Sequence, residues 1–317
     1  MNNIQLLDVT LRDGGYKTNF HFSLEMIKSI LTTLDQSGVD YIEVGYRNGP
    51  FKSMPNLGDA GMCARDYLEY CRKWVKLAKL TVIFHPKNIQ PHDLNEMLDC
   101  GVQSIRICFP AQNPALWFKS IHMAKQNNFE IFVNITRISQ YTREQICEWI
   151  IEIAKYDVKG VYLADSNGSL TPQEIENLFG FLKEKCQVPL GFHAHDNLFL
   201  AQANAVAAIK QGVQFIDASL SGLGKGAGNL RTEGIVSFLH SEGIKQYDLC
   251  KLIEAAEYVK LKLDTANNSP AKDIILGVFD LSQDDAVNLG EFFNSKDYYY
   301  KAEQYYSDRK VVLEIDP

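Results

Sequence analysis

The chain has 317 residues, 46% of them hydrophobic, enough to bury the core of one large α/β domain or two smaller ones, which excludes a disordered or fibrous protein. Acidic residues outnumber basic ones 39 to 32, giving a net charge of -7. No cluster of Lys and Arg offers the footprint that nucleic acid or an anionic membrane surface requires.

Seven cysteines, at positions 63, 71, 100, 108, 147, 186 and 250, form no C-x-x-C pair and read as reduced, mostly buried thiols. The opening residues Met1-Asn2-Asn3-Ile4-Gln5 carry no charged leader, and no apolar run approaches the ~18 residues of a membrane span. A cytoplasmic protein without membrane contact is expected.

Short apolar runs predict strands at about 4–10, 39–46, 79–85, 102–109, 129–136, 158–165, 188–195 and 214–220. Between them lie stretches of helical period, among them Ser23 to Gln36, Asn113 to Asn127, Thr142 to Tyr156, Thr171 to Lys185 and Leu198 to Gln211, several opened by a capping Ser, Thr or Asn. Eight such units predict an α/β TIM (β/α)8 barrel over 1–243. An open doubly wound sheet is the runner-up, but the first strand leads into Leu11-Arg12-Asp13-Gly14-Gly15-Tyr16 rather than G-x-G-x-x-G. Residues 244–317 read as a short helical C-terminal extension, with a helix from Tyr247 to Leu263 and then a less regular, acidic, tyrosine-rich tail.

Alternation along the strands sends Asp8 and Thr10, Glu43, Arg106, Asn134, His193 and His195, then Asp217 and Ser219 into the barrel. A structural barrel fills its interior with branched aliphatics, so this polar set points to a working pocket, with Arg106 and Asn134 candidates for binding substrate. Glu43 with Arg106 fits a buried ion pair equally well. In Gly191-Phe192-His193-Ala194-His195 the two imidazoles share a face, while Leu190, Phe192 and Ala194 suit the helices outside. The pair fits a divalent metal or a polar pocket about equally, so a third ligand has to be found. Strand one ends in Arg12-Asp13, and in a closed barrel it neighbours strand eight, as strand seven does. Asp13 therefore comes within reach of both histidines across the mouth. No cysteine takes part, which favours an open catalytic site for Mn, Mg, Co or Zn over a closed structural zinc site.

The strings Asp8-Val9-Thr10-Leu11-Arg12-Asp13-Gly14, Ile42-Glu43-Val44-Gly45, Ala164-Asp165-Ser166-Asn167-Gly168, His193-Ala194-His195-Asp196-Asn197 and Gly222-Leu223-Gly224-Lys225-Gly226-Ala227-Gly228-Asn229 together resemble the signature of the DRE-TIM metallolyase superfamily. That group holds the 4-hydroxy-2-oxovalerate aldolases, the HMG-CoA lyases, and the isopropylmalate, homocitrate and citramalate synthases. The resemblance runs from residue 4 to about 241 and is closest to the aldolases. It implies a metal held by Asp13, His193 and His195 with Asn229 nearby, Arg12 stabilising an enolate, and Ser166 and His193 contacting the oxo acid.

Three departures shape what the resemblance implies. The aldolases carry a catalytic histidine three residues after the aspartate, where this chain has Tyr16; Tyr16, His21 and His85 are, in that order, the candidates to move the proton. The HMG-CoA lyases place a cysteine loop before the glycine-rich stretch, and none is present. The synthases continue Arg-Asp-Gly with Glu-Gln and add long accessory regions, whereas Gly15-Tyr16 and a short tail stand here. A lyase acting on a 4-hydroxy-2-oxo acid through a pyruvate-type enolate, with an oxo acid and an aldehyde as partners, is the expectation. The alternatives are an acyl-CoA-dependent Claisen condensing enzyme and a barrel that binds metal and oxo acid without catalysis. The tail offers Tyr298, Tyr299, Tyr300, Tyr305 and Tyr306 to pack a helix, meet a second copy in a homodimer or reach the substrate. Its difference from the aldolases' tail argues against their aldehyde dehydrogenase partner.

Overall fold

The computed structural model describes residues 4–109, 114–263, 270–292 and 294–315. Met1 to Asn3, and Asn113, expected to open a helix, lie outside them. Eight strands pair in parallel and in order, with the last returning to the first: β1 (Gln5–Asp8), β2 (Tyr41–Tyr46), β3 (Lys79–Phe84), β4 (Ser104–Phe109), β5 (Glu130–Thr136), β6 (Gly160–Asp165), β7 (Leu190–Ala194) and β8 (Phe215–Ala218). This is the closed barrel, not the open sheet.

A helix follows each strand: α1 (Leu24–Gln36), α2 (Arg65–Trp74), α3 (Pro91–Asp99), α4 (Pro114–Lys125), α5 (Arg143–Ala154), α6 (Pro172–Lys185), α7 (Ala201–Lys210) and α8 (Thr232–Ser241). Their starts are set locally. Ser23 accepts from the Met26 amide, Thr142 with Gln145 and Thr171 with Glu174 form reciprocal capping pairs, and Pro172 supplies the preset φ of a first helical residue. No helix among the described residues is long and apolar enough to cross a membrane.

Two layers of core result. Between sheet and helices lies a continuous apolar shell, in which Phe192 of β7 meets Phe179 of α6 edge-on at 5.6 Å. Inside the barrel, Leu7, Val9, Tyr41, Phe132, Tyr162 and Phe215 make a separate plug. Burying each is worth roughly 1.5–3 kcal/mol, and the plug closes one end so that polar groups concentrate at the other.

The plug corrects one expectation. Leu7 and Val9 face inward on β1, so Asp8 and Thr10 face outward. Both faces of this strand are apolar enough that polarity alone could not fix its register. Asp8 instead accepts hydrogen bonds from the Thr10 amide at 2.9 Å and hydroxyl at 3.0 Å and from Thr232, at the start of α8, at 3.2 Å. The Leu220 amide donates to the Thr10 hydroxyl at 2.8 Å, tying the end of β1 to the segment after β8.

Beyond the barrel, α9 (Leu249–Lys262) packs on α1 and α8, and the Tyr247 hydroxyl before it donates to Ile4 O and Asp40. The helices α10 (Pro270–Val278), α11 (Asp285–Leu289) and α12 (Ser295–Ile315) gather a smaller apolar cluster around Ile275, Leu276, Phe279, Leu281 and Tyr298. The tail, expected to be less regular, is thus built of these three helices, the last of 21 residues. Tyr298 is buried on it, Tyr305 and Tyr306 pack against the same cluster, and Tyr299 and Tyr300 are exposed.

Candidate active site

The residues that end the strands meet at the barrel mouth around a cavity of about 250 Å³. After β1 the chain turns at once, the Asp13 amide donating to Val9 O at 2.8 Å. This turn needs Gly14, because a side-chain carbon there would collide with Thr10 O and Leu223. It delivers Arg12 and Asp13, both buried, to the cavity.

His193 and His195 leave β7 on the same side, with their Nε2 atoms 3.2 Å apart. One ligand atom from each of Asp13, His193 and His195 lies within 4.8 Å of the others. Asp217 of β8 accepts from His193 Nδ1 at 2.9 Å, which fixes the tautomer and leaves Nε2 as a lone-pair donor toward the cluster. Asn229 donates Nδ2 to Asp13 at 2.9 Å, while its Oδ1 is buried with no hydrogen-bond partner. Gly224 permits this placement, since a Cβ there would strike the Asn229 amide. One carboxylate oxygen, two imidazole nitrogens and a spare amide oxygen form a donor set that suits a divalent ion.

The electrostatics favour the same state of these groups. Burial opposes ionisation of Asp13, but the Arg12 guanidinium and the two imidazoles outweigh it and hold the carboxyl well below the usual carboxylate range. Burial, against the opposing pull of Asp13, pushes His195 down to about 4, so its ring is neutral near pH 7. Behind the cluster runs a chain of alternating charge. Arg12 meets Asp13 and Glu43, each at 2.5 Å, Arg106 meets Glu43 at 3.4 Å and Asp217 at 2.8 Å, and Asp217 meets His193. Each buried charge has an opposite partner, which is what makes such burial tolerable. Arg12 keeps one donor, Nη2, buried without an acceptor.

The other expected residues fall into two groups. Ser166 and Asn134 line the cavity, as do Tyr16 and His85. Tyr16 packs on Phe20 and sits 3.4 Å from the Tyr46 hydroxyl. Burial holds its phenol well above the ordinary value. His85 stacks on Tyr46 at 5.6 Å, and burial with the nearby Lys87 and Arg12 charges pushes it down to about 3. His21 is not brought to the site, because its exposed loop turns Nε2 to Asn56 O at 2.7 Å. Arg106 does not reach the cavity either; it is fully buried, with Glu43, Asp217 and Asn134 as partners, and acts on the site through them.

Some lining residues escaped the sequence. Between Glu43 and Tyr46 the register of β2 against β3 slips by one residue, and this bulge re-aims Tyr46 into the cavity, where strict alternation points it outward. Leu281 to Asp284, between α10 and α11, also line the cavity. They are docked by Asp280, which accepts from Ser139, Asn167 and Ser169 at 2.7–2.8 Å. The tail thus contributes this segment, and none of its five tyrosines.

A closed β/α barrel whose mouth brings a carboxylate and two imidazoles together, with a buried arginine beside them, is the architecture of a metal-dependent barrel enzyme. Residues 3–259 match the model of the HMGL-like family, and the chain belongs to that family. It is 33% identical over 255 residues to the 4-hydroxy-2-oxovalerate aldolase of Moorella thermoacetica, covering 80% of this chain and 75% of that one. It is 32% identical over 275 residues to the protein of the same name from Pelotomaculum thermopropionicum, covering 86% and 81%.

Among solved structures, the N-terminal domain of a candidate aldolase from Bacteroides vulgatus superposes with a TM-score of 0.80 at 30% identity, covering 90% of this chain and 96% of that one. The carboxyl transferase domain of Rhizobium etli pyruvate carboxylase shares the fold with a TM-score of 0.72 at 18% identity, covering 92% and 54%. Family and donor set together imply a divalent metal ion.

Proposed function

We propose that this chain is a divalent-metal aldolase that cleaves or forms the bond between C3 and C4 of a 4-hydroxy-2-oxo acid through a pyruvate-type enolate. The observation that carries the reading is the meeting of Asp13, His193 and His195 beside two unsatisfied buried atoms, Asn229 Oδ1 and Arg12 Nη2. The three residues, with Asn229, would hold Mn, Mg, Co or Zn. When bound, the ion supplies Lewis acidity worth several kcal/mol at the 2-oxo group.

The chain's own groups do the rest. Arg12 is fixed by Glu43 and Asp13 with its spare N–H ready for the enolate oxygen, a preorganised donor worth roughly 3 kcal/mol, or about 100-fold in rate. Ser166 stands to receive the oxo-acid carboxylate. In the cleavage direction Tyr16 acts as the phenolate, a form that a cation held by Asp13, His193 and His195 would favour against the burial that raises its pKa. It takes the 4-hydroxyl proton as the C3–C4 electron pair becomes the enolate and the aldehyde leaves, and that proton, returned to C3 directly or through water, gives the 2-oxo acid. In the reverse direction Tyr16 returns the proton to the new alkoxide. The relatives named above are aldolases by name, which favours neither the acyl-CoA nor the non-catalytic alternative.

The test is exchange of the pyruvate methyl protons in deuterated water, followed by NMR with the protein and Mn. Loss of the methyl signal is expected, and its persistence after chelation or in Asp13→Ala. Persistence with the unmodified protein under all four ions overturns the reading.

A further inference from the structure

Away from the metal cluster the cavity wall changes character. Lys52, Arg137 and Lys225 line it, and the one carboxylate set among them is Asp284. Asp284 meets Lys52 at 2.8 Å and Arg137 at 2.6 Å, so two of the three cations share one anion. Lys225 has no carboxylate within ion-pair distance among the described residues, and its Nζ lies 5.1 Å from the centre of the Tyr16 ring.

Arg137 stands immediately after β5 with φ 58 and ψ 44, the left-handed region that a side chain other than Asn or Asp adopts only under constraint. Its amide donates to the Ser166 hydroxyl at 3.0 Å, which couples this cation to the group facing the oxo acid. Its guanidinium spends only Nη2 on protein, leaving four of five N–H donors without a protein acceptor among the described residues. Arg137 and Lys225 are partly buried while Lys52 is exposed, so an entering anion gains most from the first two, and a free guanidinium fork matches a carboxylate or phosphate.

The carboxylate of the pyruvate half is already provided for by the metal cluster, Arg12 and Ser166. The Arg137 guanidinium pairs instead with Asp284, which also holds Lys52 from the loop after β2, so these cations sit on groups that the pyruvate half does not use and are left for the other half of the substrate. We propose that the aldehyde fragment carries an anionic group, a carboxylate or a phosphate, that Arg137, with Lys52 and Lys225, binds and selects.

This rests on the aldolase reading, and the experiment separates the two. With methyl exchange established on the unmodified protein, condensation with pyruvate is measured for succinic semialdehyde, glycolaldehyde phosphate, propanal and butanal. One or both anionic aldehydes should exceed the neutral ones in kcat/KM by about 10- to 100-fold, and which of the two does so identifies the group. Arg137→Met should collapse that ratio, and Asp284→Asn, which frees the fork, should raise it. The readout is a ratio within one protein, so a general loss of fold or activity cancels. Preference for the neutral aldehydes, acceptance of none of the four while exchange proceeds, or an Arg137→Met variant that slows both classes equally overturns the inference. Absence of exchange overturns the aldolase reading instead.

Discussion

Asp217 Oδ2 lies 2.9 Å from His193 Nδ1 and 2.8 Å from Arg106 Nη1, so one buried carboxylate joins a candidate metal ligand to the fully buried arginine of β4. Burial works against its charge, and Arg106 and His193 more than restore it, holding Asp217 below the usual range. A charged acceptor behind an imidazole orients the ring and strengthens it as a ligand. Asp217→Asn keeps the shape and removes the charge, and should weaken metal affinity by about 10- to 100-fold. Calorimetric titration of Mn into the chelator-treated protein measures this, with circular dichroism as the control for folding; equal affinities would rule out the orienting role.

Arg12 is held by two carboxylates through two different nitrogens, Nε to Glu43 and Nη1 to Asp13, while Nη2 stays free. A lysine has one ammonium and no rigid fork, so it cannot satisfy both and still point a third donor into the cavity. Arg12→Lys should lower kcat by about 10²–10³-fold with a smaller change in KM for pyruvate. It should also lower the thermal midpoint, because Glu43 loses a buried partner. A kcat within about threefold of the unmodified protein, well short of an oxyanion-donor loss, would remove Arg12 from the mechanism.

Tyr16→Phe deletes only the hydroxyl and keeps the edge-on packing against Phe20 at 5.1 Å and Tyr46 at 6.2 Å. Loss of general acid–base catalysis should lower aldol cleavage by about 10²–10⁴-fold. His85→Asn disturbs a ring that stacks on Tyr46 and is a weak base, so its effect should stay below about tenfold, less than a proton carrier contributes. Steady-state cleavage rates of the two variants decide between them, and the reverse order of effects would make His85 the proton carrier.

How much of this was legible in the chain follows from which signals are local. The strand rhythm and the spacing of His193 and His195 depend on alternation alone, and they placed the barrel and both imidazoles. The ends of β1 and β8 lie side by side once a barrel closes, which is why chain order alone brings Asp13 within reach of the histidines. What failed depends on tertiary contact. Alternation alone sends Asp8 and Thr10 inward, yet they face outward to partners, Thr232 and Leu220, from more than 200 positions away. Tyr46 enters through a bulge whose one local sign is Gly45 inside the apolar run. His21 has the right chemistry on a loop that turns it outward. Asp284 belongs to a segment without a motif, docked through Asp280, and nothing local shows that it faces the mouth.

The outward position of Asp8 gives it a titration that should be visible in stability. Burial raises its pKa to about 7, only partly offset by the hydrogen bonds from Thr10 and Thr232 and assisted by the charge of Glu233. An unfolded aspartate titrates near pH ~3.9, so between about 4 and 7 the folded chain holds a proton that the unfolded chain releases. The resulting stabilisation is fully present below about pH 4 and is lost as pH rises through about 7. His85 has the opposite sign: its folded value of about 3 lies below the usual imidazole value, so its contribution is present at neutral pH and lost as pH falls toward 3. Comparing the protein with Asp8→Asn isolates the first group, because the second is common to both. The variant keeps an acceptor for the Thr10 amide and carries no charge. It should be more stable than the unmodified protein at about pH 8 by about 2–3 kcal/mol, and the gap should close toward about pH 5. Thermal midpoints measured across that interval test this, and two parallel curves would show that Asp8 is ionised in the fold at every pH sampled.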